Sequence, residues 1–350
     1  MSATQDVEGI HRERVSAWLE AKVPGLVAPF EFHIIPSGHS NLTYRVCDAR
    51  GRCVVLRRPP LGAVLATAHD MGREHRIISA LGSTQVPVPP ALGLCEDPEV
   101  NGAPFYVMAF VEGWLPEDQR TTERHTDPPA RRRLGEHVVE VLAHLHGTDP
   151  DAVGLGDLGR REAYLARQLK RWRGQWEKSK TRELPAMEEV YTALQQAIPE
   201  QKGVAIVHGD YRLGNMLVTQ DARIAAVLDW ELCTLGDPLA DVGYLLNNWL
   251  EPDESGPLAG AAALSPTAAP GFPSRAELLE RYAELTGRDV SQVDYYRAFQ
   301  YWRLAAIVEG VLARYLKGVM GKAADTAAFR AQVDQLANSA LEMVRRWDRS

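Results

Sequence analysis

The sequence predicts an α+β fold in two parts, a small part built on an antiparallel sheet and a larger, mainly helical one. Three observations lead there. Short β-like runs follow one another before residue 60, helical periods dominate from Arg131 onward, and 350 residues exceed what a single minimal core requires.

Ile10, Val15, Trp18 and Leu19 recur at roughly helical spacing over Val7 to Lys22, and Pro24-Gly25 ends that helix. Strands are expected over Phe32 to Pro36, Leu42 to Cys47 and Cys53 to Arg57, the last two joined by the turn Ala49-Arg50-Gly51-Arg52. A helix over Ala66 to Leu81 follows. Pro87 to Pro90 then breaks the chain before the apolar run Phe105 to Val111, so the first part is placed at residues 1–111. Residues 112–350 form the second part. Helices are expected there over Arg131 to His146, Glu162 to Trp176 and Met187 to Ile198, and β features over Val204 to Val207, Met216 to Thr219 and Ile224 to Leu228. Gly256 to Pro273, rich in Ala, Pro and Gly, reads as an irregular loop, either a lid or a surface excursion. Helices over Ala276 to Leu285, Tyr295 to Leu316 and Ala327 to Trp347 complete the chain.

Composition narrows the function classes. Hydrophobic residues at 45% and charged residues at 24% are ordinary for a compact domain, and no repeat at a fixed period points to a solenoid or propeller. A net charge of −7 without a basic cluster disfavours nucleic acid and anionic lipid as partners. The first residues lack a basic start and an apolar run, and no apolar stretch approaches the ~20 residues of a membrane span, so a cytoplasmic protein is expected. Cys47, Cys53, Cys95 and Cys233 include no C-x-x-C pair, which argues against a zinc site and a disulfide framework. Buried free thiols are expected, although Cys47 and Cys53 would face each other across their turn.

Chemistry concentrates between His208 and Asp229. An apolar strand runs into His208-Gly209-Asp210, Asn215 follows, and a second apolar strand ends at Asp229. If Gln220 to Arg223 is a tight turn, Thr219 opposes Ile224 and Asn215 opposes Leu228. Phosphoryl transfer calls for this residue set: one carboxylate to orient or deprotonate the acceptor hydroxyl, and a carboxylate plus an amide oxygen to hold Mg²⁺ on nucleotide phosphates. Isolated Asp and Asn in loops usually just satisfy turns, but this many polar groups at the ends of apolar strands are costly without a ligand.

His208-Gly209-Asp210 with Asn215, then Leu228-Asp229-Trp230-Glu231 and Gly236-Asp237-Pro238-Leu239-Ala240-Asp241, resembles the catalytic signature of the aminoglycoside phosphotransferase and choline kinase superfamily. The resemblance implies a two-lobed protein-kinase-like fold with a small antiparallel-sheet lobe and a mainly helical lobe. It implies Asp210 as catalytic base, Asn215 and Asp229 as magnesium ligands, and Asp241 as the aspartate bracing the catalytic loop. Asp237-Pro238 also reads as the start of the helix through Tyr244-Leu245-Leu246. Ser37, Gly38, His39, Ser40 and Asn41 resemble the loop that covers the nucleotide, and a plain hairpin turn explains them equally well.

Arg57 occupies the place of the phosphate-binding lysine, and arginine is not equivalent to lysine there. Glu74, on one helical face with Ile77 and Leu81, is the expected partner of Arg57, with Arg73 and Arg76 as local alternatives. Backbone groups of Phe110 and Val111 are the expected adenine contacts.

The combination Val55-Leu56-Arg57-Arg58-Pro59-Pro60 with the later motifs is most similar to the kinase-like domain of acyl-CoA dehydrogenase family members 10 and 11 and bacterial relatives. That resemblance implies a hydroxyacyl-CoA acceptor. The implied reactants are ATP, with GTP open, Mg²⁺ and a small-molecule hydroxyl. Amino alcohols, sugars or aminoglycosides are the alternative acceptors, with Glu251, Asp253 and Glu254 either an acidic patch for a cation or a solvated face. A nucleotide-binding regulator without transferase activity is the second class, motivated by Arg57. A metal-dependent hydrolase using His208 and Asp210 is the third, disfavoured because no second histidine stands at ligand spacing.

Overall fold

The computed structural model describes residues 7–36, 41–61, 70–251, 254, 265–318 and 325–347. The chain divides into two compact units. Unit 1 is Met1–Gly113 with Ala225–Leu232, and unit 2 is Trp114–Ile224 with Cys233–Ser350. Among the described residues no helix is long and apolar enough to cross a membrane.

Unit 1 contains α1 (Arg12–Lys22), β1 (Glu31–Ile35), β2 (Leu42–Cys47), β3 (Cys53–Arg58), α2 (Met71–Leu81), β4 (Ala91–Cys95), the short α3 (Pro98–Asn101) and β5 (Phe105–Ala109). The five strands form one antiparallel sheet in the order β1-β2-β3-β5-β4. Strand alternation decides its two faces. Tyr44, Val46, Val54, Leu56, Phe105 and Val107 point to one side and form a core with Val15 and Leu19 of α1. Trp18 of α1 meets Phe105 edge-on, 4.9 Å between ring centres. The intervening Arg57 and Tyr106, cross-strand partners in the register, therefore point to the other side, where α2 packs.

Asp70 caps α2 by accepting from Arg73 N at 2.9 Å, so this helix begins at Met71, and the part of the expected helix over 66–69 lies outside the described residues. Strand β4 has no counterpart in the sequence reading. The expectation of free thiols at Cys47 and Cys53 is corrected: the two are cross-strand partners in the β2-β3 register, 4.1 Å apart at Cα, and are joined by a disulfide. Cys95 and Cys233 are buried free thiols.

Unit 2 holds α4 (Gln119–His125), α5 (Pro128–Gly147), α6 (Tyr164–Ser179), α7 (Pro185–Gln196), β6 (Ala205–Val207), β7 (Met216–Val218), β9 (Thr234–Gly236), α8 (Leu239–Asn248), α9 (Arg275–Thr286), α10 (Val293–Leu316) and α11 (Thr326–Trp347); β8 (Ile224–Val227) runs across the unit boundary. Helix α10 is buried along most of its length and packs against α6, α7, α8 and α11. Its approach to α8 requires Gly243, where a Cβ would lie 2.9 Å from the Tyr296 backbone. β6 pairs antiparallel with β9, a three-residue strand too short to stand out in the sequence. The turn after β7 closes with Thr219 N donating to Arg223 O at 2.9 Å. Of the expected loop over Gly256 to Pro273, residues 256–264 lie outside the described residues, and Pro266–Ala268 forms a 3-10 turn.

Candidate active site

In unit 2, β6 delivers the chain into His208-Gly209-Asp210. Gly209 has φ +85°, a left-handed conformation that glycine adopts without penalty. Asp241, three residues into α8 and 0% exposed, takes His208 N on Oδ2 at 2.7 Å and Gly209 N on Oδ1 at 2.8 Å. Both carboxylate oxygens are thus spent on consecutive backbone amides. His146 Nε2 lies 3.3 Å from the same Oδ2, and its Nδ1 is 2.8 Å from the Tyr282 hydroxyl. On the opposite side of the loop, Arg303 Nη2 donates to Gly209 O at 3.1 Å. The loop backbone is therefore gripped from α8 and from α10.

Asp210 itself keeps part of its side chain exposed. Asn215 Nδ2 donates both to its backbone O at 2.9 Å and to its Oδ2 at 2.7 Å, and Arg212 Nε lies 3.4 Å from Oδ1. With the amide nitrogen committed, Asn215 Oδ1 has no donor among the described residues. Burial, then the nearby Asp210 carboxylate, pushes the Tyr244 phenol up, so it stays protonated. Asp237 accepts Leu239 N on Oδ1 at 3.0 Å and the Tyr296 hydroxyl on Oδ2 at 2.8 Å, and burial raises its pKa. Oδ1 thus serves the start of α8 and Oδ2 ties it to α10.

In unit 1 a second polar cluster forms on the α2 side of the sheet. Glu74 is 2% exposed. Its Oε1 accepts from Asn41 Nδ2 at 3.1 Å, its Oε2 accepts from the Tyr106 hydroxyl at 3.0 Å, and Arg57 Nε stands 3.4 Å from Oε2. The buried carboxylate is met from Asn41, just ahead of β2, and from β3 and β5. Burial pushes the Glu74 carboxyl up, against the pull of Arg57. Burial also opposes the charge on Arg57, but Tyr106, Glu74 and Asp229 outweigh it and push its pKa up. Arg57 Nη2 donates to Asp229 Oδ1 at 2.7 Å.

Asp229 has φ +65°, an uncommon conformation that Asp tolerates better than most residues. The segment bearing it is tied to the rest of unit 1 by Val227 N to Pro87 O at 2.8 Å, and within it Trp230 Nε1 donates to Val227 O at 3.0 Å. Asn41 also donates to Glu231 Oε2 at 3.3 Å, so its side chain is turned to carboxylates.

Phe110 and Val111 follow β5 and are half-buried, with the Arg45 guanidinium 4.7 Å above the Phe110 ring. Ser37, Gly38, His39, Ser40 and Asp253 lie outside the described residues. Three residues of these clusters, Tyr106, His146 and Arg303, have no site role in the sequence reading. For Arg303 a signal existed, since Gln300, Arg303 and Glu309 interrupt the otherwise apolar stretch Ala298 to Ala313.

A sequence model of the phosphotransferase enzyme family matches residues 31–285. Acyl-CoA dehydrogenase family member 10 of Mus musculus is 35% identical over 339 residues, covering 94% of this chain and 30% of that protein. The chain spans only 30% to 40% of the length of the curated relatives it matches. A crystal structure from Ralstonia eutropha, provisionally assigned as an aminoglycoside phosphotransferase, has TM-score 0.82 and 34% identity and covers 95% of this chain and 98% of its own. An aminoglycoside phosphotransferase solved with AMP-PNP and hygromycin B has TM-score 0.61 over 94% of this chain and 98% of its own; at 18% identity that likeness speaks for the fold. The chain belongs to the phosphotransferase enzyme family, small-molecule phosphotransferases built on the protein-kinase-like fold.

Proposed function

We propose that the chain is an ATP- and Mg²⁺-dependent phosphotransferase that moves the γ-phosphoryl group to a hydroxyl of a small molecule, a hydroxyacyl-CoA foremost. The observation that carries this reading is the grip of Asp241 on the His208 and Gly209 amides, which fixes the backbone that presents Asp210. Asp210 is the base: its carboxylate, steadied by Asn215 Nδ2 at 2.7 Å, accepts or orients the acceptor hydroxyl proton. Asn215 Oδ1 and Asp229 Oδ2 have no hydrogen-bond donor among the described residues, and a carboxylate with an amide oxygen suits Mg²⁺.

No group of three His, Cys, Asp or Glu side chains among the described residues could hold a metal alone. In the proposed reading the cation is held by few protein oxygens together with phosphates and water. Magnesium, when bound, neutralises charge developing on the phosphate oxygens.

On the nucleotide side, Arg57 grips phosphate and Glu74 positions Arg57. Ser37, Gly38, His39, Ser40 and Asn41 offer backbone amides to the phosphates, and Phe110 and Val111 contact adenine. ATP is favoured over GTP by the structural neighbour that holds AMP-PNP. The hydroxyacyl-CoA acceptor is favoured by likeness to a relative named for acyl-CoA chemistry.

The test is a nucleotide-consumption screen of hydroxyacyl-CoAs, amino alcohols, sugars and aminoglycosides with Mg-ATP. Asp210→Ala and Asp229→Ala should each abolish transfer to the acceptor found, and retained turnover in both rejects these roles. One observation favours a second reading. Arg57 stands where the phosphate-binding lysine is expected and is engaged with Asp229 at 2.7 Å, which motivates a nucleotide-binding regulator without turnover. Thermal stabilisation by Mg-ATP with no transfer to any acceptor selects that reading.

A further inference from the structure

The strongest bond of Arg57 goes to Asp229, not to Glu74. Nη2 meets Asp229 Oδ1 at 2.7 Å, whereas Nε stands 3.4 Å from Glu74 Oε2 and is buried without a hydrogen-bond partner. Glu74 does not depend on the guanidinium for its hydrogen bonds, because Asn41 and Tyr106 supply one to each of its oxygens at 3.1 Å and 3.0 Å. Arg57 is thus committed to Asp229 by a short charge-assisted bond and to Glu74 by charge alone. The side chain is 11% exposed, so little water competes for it. A guanidinium can reach two carboxylates through different nitrogens, which the single ammonium of lysine does less well.

We infer that Arg57 masks Asp229 in the nucleotide-free protein, so that a divalent cation and the nucleotide phosphates are taken up together and the cation alone is refused. The inference rests on the proposed phosphotransferase reading, which gives the cation to Asp229 and the phosphates to Arg57. A cation arriving alone meets a carboxylate whose charge is already neutralised, beside a guanidinium that repels it. Phosphate offers the guanidinium the same paired-oxygen geometry as a carboxylate. Polyphosphate can therefore draw Arg57 off Asp229, and the cation then compensates the carboxylate left behind. Each ligand removes the obstacle to the other, and the coupling is reciprocal.

The test is Mn²⁺ binding to the full chain, read by electron paramagnetic resonance without and with AMP-PNP, on the wild type, Arg57→Lys, Arg57→Met and Asp229→Asn. Without nucleotide, Arg57→Met should bind Mn²⁺ at least about tenfold more tightly than wild type, the size of one charge-assisted bond. Arg57→Lys should lie between them, and it keeps the positive charge should Arg57→Met fold poorly. Asp229→Asn should lose Mn²⁺ binding in the presence of AMP-PNP. Wild type binding Mn²⁺ alone as tightly as both Arg57 variants overturns the inference and leaves the phosphotransferase reading standing. No Mn²⁺ uptake by any of the four proteins, even with AMP-PNP, removes the metal role of Asp229 and the inference with it.

Discussion

Asp241→Asn tests whether the loop bearing Asp210 is held by charge as well as by shape. The substitution hardly changes volume, but an amide carries one oxygen and one NH2 where the carboxylate carries two acceptors. Asp241 Oδ1 and Oδ2 each accept one backbone N–H, from Gly209 at 2.8 Å and His208 at 2.7 Å, in a site with 0% exposure. In the variant one of those amides must face a donor. Losing a hydrogen bond to a charged group removes about 1.5–3 kcal/mol, and stranding a buried N–H costs about 1–3 kcal/mol more. The two overlap, because relaxation of the loop trades one for the other, so about 3–4 kcal/mol is expected. That is a large share of the roughly 5–15 kcal/mol of a typical fold. Urea unfolding should show a lower midpoint with an unchanged slope. Turnover on an identified acceptor should fall about 10²-fold or more, since displacing a catalytic group by an ångström has that effect. A variant within about 0.5 kcal/mol of wild type would show that packing alone, with no contribution from the two amide bonds, holds the loop.

Asp210→Asn should lower kcat by about 10²- to 10⁴-fold while moving the urea midpoint little, and a kcat within threefold of wild type would remove it as the base. Glu74 supplies a pH test. Burial raises its folded pKa above the ordinary 4.5, so the folded protein holds this proton to higher pH than the unfolded chain does. Its contribution is present below 4.5 and is lost as pH rises through the folded value, so wild type should lose stability relative to Glu74→Gln over that window. A flat or rising difference contradicts the assignment. The Cys47–Cys53 bond closes a loop of sequence separation 6, for which chain entropy gives about 2 kcal/mol. Protein purified without reductant should yield the linked peptide, and reduction should lower stability by about that amount; finding only free thiols refutes the bond.

What the sequence made legible is what short-range order decides. The alternation in Leu42 to Cys47 and Cys53 to Arg57, and the turn between them, sets the β2-β3 register, and that register alone brings Cys47 opposite Cys53. The lack of a C-x-x-C pair argues against a disulfide, but the local geometry is the better guide. Strand β4 was missed because Gly93 interrupts it. That glycine answers to the Trp18 ring, 3.0 Å from where a Cβ would sit, so its reason lies on a distant helix. Glu74 was legible as a buried acid needing a partner. The division of labour around it was not, since neutral donors satisfy Glu74 while Arg57 turns to Asp229.

The polar residues inside α10 carry the argument furthest. Gln300 donates to Ala240 O at 2.8 Å, Arg303 to Gly209 O at 3.1 Å, and Glu309 accepts Thr181 N at 2.6 Å. Three polar side chains on one buried helix thus hold the backbone of three separate segments, one of them the loop that presents Asp210. Burying such groups is unfavourable unless each finds a partner; Ala240 lies in the first turn of α8, whereas Gly209 and Thr181 belong to irregular backbone, which has unpaired groups to offer. Polar residues on the apolar face of a long helix therefore mark which helix supports the loops, even where the sequence gives no hint of which loop each residue meets.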